Sequence, residues 1–402
     1  MAPNTTRILD PADYTVAWIA PLHIEAQAAL LALDAHHEGH FAAHPGDDYL
    51  YMAGEVNCHN VVIATFPAEH DYGLGSAAAL ASQVKKSFPK LWFGLSVGVA
   101  AGLPNLDKTP PLDIRLGDVL VGVGDGGSAG LVNYSLGKQT KNGLELIRPG
   151  YQARTATIVR TAIARLKLKE LQLANQKRPN DFLQYYERIM NESDGIFADP
   201  GQGMDKLHRT VYDGVDSKIE LVERTERPQS SRTRLWYGSI GSGNILMKDA
   251  KKRDELRDKH NLIGFEMEAS GIENTIPVGV IRGVCDYGDD QKNKTWHPYA
   301  AAMAAAYAKA ILYEITPDRR GNGLDGKVND PWKIPGGSET YKRQRKDIPD
   351  NDAEADVKLS RLYPKGEEQE EKVVLDDQVR FFLARSLNIR SWNGLIVFSM
   401  LI

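Results

Sequence analysis

Cysteine is nearly absent: the 402 residues hold two, Cys58 and Cys285. Two thiols cannot build a disulfide framework, and a cysteine-rich zinc site is excluded. An excess of one charge is missing too. Lys and Arg number 49 against 53 Asp and Glu, a formal net charge of −4, so no basic face points to nucleic acid. Long apolar runs are also lacking. The longest candidate, NGLIVFSMLI at the C-terminus, falls well short of the ~20 residues that span a bilayer. The start, MAPNTTRILDPADY, lacks the basic-then-apolar build of a signal peptide. These absences predict a cytoplasmic protein that engages neither nucleic acid nor membrane. There is no internal repeat. GLGSAAA at Gly73 lacks the Lys-Ser/Thr ending of a phosphate loop and reads as a turn and helix start.

What is present is ordinary for a globular chain, with 42% hydrophobic and 25% charged residues. YTVAWIA (14–20) reads as a buried strand and runs into an Ala- and Leu-rich helix that starts near Pro21. NVVIATF (60–66), LWFGLSVGV (91–99) and GDVLVGV (117–123) read as further strands. An Ala-rich helix over 76–88 has Leu80, Val84 and Phe88 at helical spacing. An amphipathic helix covers 151–176. Residues from about 177 to 234 are polar and read as an insertion with short helices. LWYGSI, a charged helix in KDAKKRDELRDKH, IGFEM, the strand VGVIRGVC and an Ala-rich helix over 298–315 complete a domain over 13–316. Strands alternating with helices predict an α/β fold. Residues 317–402 are Gly-, Pro- and charge-rich and read as a partly irregular tail with an apolar end suited to docking or oligomerisation.

Three carboxylates sit just beyond apolar strands. Glu25 lies a turn into the first helix, Glu268 closes FEME, and Asp286 closes IRGVCD. Acids are rarely buried without partners, so three at strand ends suggest a polar pocket on one sheet edge. Separated carboxylates suit glycosidic cleavage, where one protonates the leaving group and another activates water. Each also has a structural reading. Glu268 could begin a helix, Glu25 could lie on a solvated face, and Asp286 could be a loop acid. Cys285 reads as core, and His70 and His297 as structural.

YTVAWIAPLHIEAQAAL, GLSVGVAAGLP, GDVLVGVGDGGSAGLVNYSLGK, YGSIGSGNILMKDAKKRDEL, GFEMEASG and IRGVCDYGDDQKNKTWHPYAAAMAAAYAKAIL occur in order. Together they resemble the nucleoside phosphorylase and methylthioadenosine/S-adenosylhomocysteine nucleosidase superfamily. The resemblance covers about 13–315 and is to the type found in filamentous fungi, often at the N-terminus of NOD-like receptor proteins. It implies a three-layer αβα sandwich with a mixed central sheet. It places Phe265 and Met267 at the substrate and Glu268 on the ribose hydroxyls. Asp286 would protonate a purine at N7, and Glu25 would polarise water. Ser242, Gly243, Asn244, Ile245 and Leu246 would line the base. Gly98, Val99 and Ala100 would approach the ribose through their backbone. No cofactor and no metal is implied, and a homo-oligomer is expected.

Two departures separate hydrolysis from phosphorolysis. Phosphorylases of this superfamily carry an arginine shortly after the first strand, where this chain has APLHIEA. They carry another before the Gly-rich turn, where it has GLSVGVAAG. A phosphate dianion needs charge-assisted donors, and Glu25 would repel it, although His23 could supply one. The expectation is a purine nucleosidase acting on an adenine nucleoside or nucleotide: adenosine, methylthioadenosine or an ATP-like molecule. A phosphate-dependent phosphorylase and a non-catalytic nucleoside-binding module of an immune-type system are the alternatives. For a nucleotide, Lys138, Lys248, Lys292 and Lys294 are the candidate cations near the 5′ position.

Overall fold

The computed structural model describes residues 7–317, apart from 43–45, 70–71, 125–127, 142, 147–154, 177 and 214–215. His70 and all but the first residue of the expected tail lie outside the described residues. The first buried strand, β1 (Val16–Ile19), is wholly buried, as its uncharged sequence requires. It leads to α1 (His23–Ala32), then β2 (Met52–Val56) and β3 (His59–Ala64). Next come α2 (Leu74–Ser87), β4 (Phe93–Gly102), β5 (Val119–Gly122) and β6 (Leu131–Asn133). The small residues of GVAAG do not end the third expected strand. They continue β4 three residues beyond Val99, because β4 needs their slim backbone to pair on both edges.

The region 177–234 holds α4 (Leu183–Glu192), which follows α3 (Thr157–Asn175). It also holds an antiparallel hairpin, β7 (Leu207–Asp213) and β8 (Asp216–Val222). The hairpin differs from the expected short helices. Its Val, Thr, Tyr and Ile content suits strands, but charged residues between them mask the alternation. The chain continues through β9 (Leu235–Ser242), α5 (Ala250–His260), β10 (Leu262–Glu266), α6 (Ala269–Glu273), β11 (Val278–Asp286) and α7 (His297–Glu314).

The principal sheet runs β10-β9-β5-β11-β4-β1-β3-β2, ends on a short strand at Ala35–His36, and mixes parallel with antiparallel pairs. β6 joins it on β9. The far end of β4 curls to pair antiparallel with β10, at Ala101↔Phe265 and Gly102↔Gly264. Five strands therefore close on one another, β10-β9-β5-β11-β4, and the ends of β4, β10 and β11 converge. Helices flank the sheet: α1, α3 and α4 gather on α7, while α2 packs on α6. This is the α/β architecture with a mixed central sheet that the sequence predicts. Every residue of α7 from Tyr299 to Leu312 is buried. Its backbone lies so close to β11 that a Cβ on Gly283 would stand 1.9 Å from the Ala300 carbonyl oxygen. Lys309, buried within α7, donates to Ala32 O and Asp34 Oδ1, each at 2.6 Å, and ties α7 to the end of α1.

Candidate functional site

Glu25 stands at the third position of α1, where a carboxylate can reach back to the free backbone donors of the first turn. Its Oε2 accepts from Leu22 N at 2.8 Å. Its Oε1 accepts from Val99 N on β4 at 2.7 Å. Gly98 makes this approach possible, for a Cβ there would lie 2.2 Å from Glu25 Oε1. The carboxyl is buried, and that desolvation pushes its pKa up to about 7 although the Arg282 charge pulls the other way.

Glu266 ends β10. It accepts from Arg282 Nη2 at 2.7 Å and from the Glu268 and Ala269 amides at 3.1 and 2.8 Å. Arg282, 1% exposed in the middle of β11, also donates to Ser96 O at 2.6 Å, Ser96 Oγ at 2.9 Å and Ile281 O at 3.0 Å. Its guanidinium is therefore spent on protein groups. Glu268 Oε2 accepts from Met267 N at 3.2 Å. Burial, followed by the charges of Glu266 and Glu25, raises the Glu268 pKa to about 8. Glu25, Glu266 and Glu268 thus form one carboxylate cluster around a single occupied arginine.

Asp286 reaches this neighbourhood through a β-bulge. β11 pairs Val284 with Ala100 and Asp286 with Ala101, leaving Cys285 as the extra residue. Bulges re-aim the side chains beside them. Asp286 Oδ1 accepts from Gly288 N at 2.7 Å and pairs with Lys292 Nζ at 3.1 Å. The Cys285 thiol lies 3.3 Å from Asp286 Oδ2. Burial, then the Asp286 charge, raises that thiol's pKa well above its usual value, and Glu25 adds to the effect. Desolvation lowers the pKa of His297, although the Asp286 charge pulls the other way. Ligand atoms of Cys285, Asp286 and His297 lie within 4.8 Å of one another and could hold a metal ion. A cation there would compete with the Lys292 ammonium already on Asp286.

The other expected contacts divide. Val99 and Met267 are half-buried beside the carboxylates, while Gly98 and Ala100 are buried in β4. Phe265 is buried, edge-on to Tyr134 at 5.0 Å. Ser242 is fully buried and accepts from Ser270 N at 3.0 Å, a structural engagement rather than an open contact. Gly243 N donates to Glu266 O at 3.2 Å. Asn244 Oδ1 accepts from Leu74 N at 2.8 Å, so it satisfies the start of α2. Ile245 and Leu246 are 60% and 53% exposed. Of the four lysines, Lys138, Lys248 and Lys294 are exposed and Lys292 is engaged by Asp286. Glu266 and Arg282 escaped the sequence reading. The signal was there: an arginine inside the apolar run VGVIRGVC must find an acid when that strand is buried.

No protein-family model matches the chain. The nucleotide-binding leucine-rich repeat (NLR)-like protein of Hyaloscypha variabilis (strain UAMH 11265 / GT02V1 / F) is 36% identical to it over 317 residues, 77% of this chain and 30% of that protein. The chain thus matches less than a third of that relative's length. Among solved structures, it is similar to futalosine hydrolase of Helicobacter pylori at 14% identity and a TM-score of 0.46. That match covers 75% of this chain and 98% of the other. It is also similar to 5′-methylthioadenosine/S-adenosylhomocysteine nucleosidase from Neisseria meningitidis, at 16% identity and a TM-score of 0.47, over 75% and 99% of the two chains. At these identities and scores no residue role follows for this chain.

Proposed function

We propose that this chain is a purine nucleosidase that hydrolyses the N-glycosidic bond of an adenine nucleoside or nucleotide. The observation that carries the reading is the carboxylate cluster. A water held at Glu25 meets a buried carboxyl whose pKa of about 7 suits a general base at neutral pH. A phosphate dianion would meet Glu25, Glu266 and Glu268, with both terminal nitrogens of Arg282 already donating to protein groups. Among the described residues of this cluster no free cation is left for phosphate, which favours water as the nucleophile.

In the proposed reaction, Glu268 holds the ribose hydroxyls. Asp286 passes a proton to purine N7 as the bond from C1′ to N9 breaks, and Lys292 steadies the carboxylate left behind. Glu25 takes a proton from the water that attacks C1′. The products are the free base and a ribosyl sugar bearing the new hydroxyl. Met267 and Phe265 form the apolar side of the sugar and base pocket, and Val99 borders the nucleophile. We further propose that a second copy covers the exposed Tyr72, Leu136, Ile245 and Leu246, which are 53–62% exposed. The domain boundary at 13–316, with an insertion over 177–234, belongs to the same proposal. The partial match to a longer NLR-like protein supports a role as one module of a larger receptor-type chain.

The test is to incubate the protein with adenosine, methylthioadenosine, AMP and ATP, with and without phosphate, and to measure free base. Base release without phosphate, reduced about 100-fold or more in Asp286→Asn, is the expected result. Release only with phosphate would instead make the chain a phosphorylase. Binding without turnover would favour a nucleoside-binding module.

A further inference from the structure

Tyr287, the residue after Asp286, joins a buried polar knot with Asp205 and Arg224 of the insertion. Its hydroxyl donates to Asp205 Oδ1 at 2.6 Å and accepts from Arg224 Nη2 at 2.8 Å. Arg224 Nη2 also donates to Asp205 Oδ1 at 2.8 Å, closing a three-membered ring of charge-assisted bonds. All three side chains are at least nine-tenths buried: Tyr287 is 3% exposed, and the Arg224 and Asp205 side chains 7% and 5%. Arg224 further reaches Asp113 Oδ1 and Ile114 O, each at 3.4 Å, so the ring is fixed to the segment before β5. On the other side, the Tyr287 carbonyl accepts from Arg253 Nη1 of α5 at 2.9 Å.

We propose that Asp205 and Arg224, acting through Tyr287, are positioning residues that hold the Asp286 carboxylate in place, and that this is what the 177–234 insertion contributes to the site. The inference rests on the reading of Asp286 as the acid. The physical argument is local. Asp286 is the last ladder residue of β11, paired with Ala101 just past the bulge, and Gly288 two residues on has a φ of +66°, so the regular β-ladder ends at Asp286. Beyond the Ala101 pairing, the short turn and Lys292, this stretch is anchored through Tyr287 and through Asp289, which lies 3.7 Å from Arg253 Nη1. A carboxylate misplaced by about 1 Å can cost about 100-fold in rate. Loss of one buried bond here is therefore expected to show in turnover, beyond any effect on global stability.

Tyr287→Phe removes the hydroxyl and keeps the ring. Asp205→Ala removes the same anchor from the insertion side. Two measurements are made on each. The first is hydrogen exchange of the Gly288 amide, which donates to Asp286 Oδ1, with the Val284 amide, which donates to Asp118 O, as the control for global opening. The second is kcat and KM for base release across pH. The expected result is Gly288 exchange accelerated by about tenfold more than Val284 exchange in both variants. It is joined by a kcat lower by about tenfold or more, a KM within about twofold, and a displaced pH limb. Unchanged Gly288 exchange in either variant, or a loss confined to KM, overturns the inference. Faster Gly288 exchange in a protein that releases no base from any substrate would retain the anchor and refute the nucleosidase reading instead.

Discussion

At the scale of single residues, the site places carboxyl groups where folding disfavours their charge. Glu25 and Glu268 are raised from 4.5 to about 7 and about 8. In the folded state both stay protonated over a range where the unfolded chain has already released the proton. The unfolded state therefore binds fewer protons, and stability falls as pH rises from about 4.5 through 7 to about 8. The urea midpoint is expected to decline between about pH 5 and pH 8, and Glu268→Gln should flatten that decline. A wild-type midpoint that is level or rises over this window would contradict the assignment. The proposed reaction runs the opposite way, since it uses Glu25 as a carboxylate. kcat/KM should climb through about pH 7, and the climb should vanish in Glu25→Gln. Tyr134 and Cys285 do not share this window, for burial holds both protonated.

At the scale of elements, β11 concentrates the consequences. It carries Arg282 in its middle, the bulge at Cys285, Asp286 at its end and Tyr287 beyond. The Arg282–Glu266 pair is almost wholly excluded from solvent. Breaking such a pair strands a buried charge and costs about 3–5 kcal/mol, whereas an exposed pair costs less than about 1. Arg282→Met should lower the free energy of unfolding by that larger amount at pH 7, measured by urea denaturation. A loss below about 1 kcal/mol would mean that Glu266 neutralises or finds water instead. The surface pair Lys252–Glu255 is the fitting control, because both side chains are half exposed. β11 also shows where sequence patterning stops. Its apolar residues announce a buried strand, but Arg282 is a charged residue inside that run, and only its partner explains it. The bulge leaves no mark in the sequence, because it is a matter of register with β4.

At the scale of the whole molecule, closure of β10-β9-β5-β11-β4 brings residues from distant parts of the chain to one place. Glu25, Val99, Glu266 and Arg282 meet although 257 positions separate the first from the last. The insertion does the same over shorter separations of 109 and 116 positions. Arg227 and the Arg234 amide converge on Asp118, which is fully buried and also accepts from Trp236 Nε1 at 2.8 Å. The proposed assembly is tested by sedimentation velocity. A species larger than a 402-residue monomer is expected, and substituting charge at Ile245 and Leu246 should dissociate it. A wild-type monomer at micromolar concentration would refute the proposed cover over those residues. No helix among the described residues is long and apolar enough to cross a membrane.

The sequence by itself determined the order and kind of most elements, because buried strands and amphipathic helices are written as local runs and periods. β1, α2, α5, β11 and α7 all fall within a few residues of their expected places. It also singled out Glu25, Glu268 and Asp286, because an acid beside an apolar strand is conspicuous. Tertiary structure alone decided who meets whom. It put Glu266 on Arg282, gave both Glu25 oxygens to backbone amides, set Lys292 on Asp286 and buried Ser242 against the Ser270 amide. It also folded the insertion into a hairpin and hung Tyr287 from it. The reason is physical: periodicity reports which face of an element is buried, whereas pairing and pKa depend on groups that lie far apart in sequence and become neighbours only when the sheet closes.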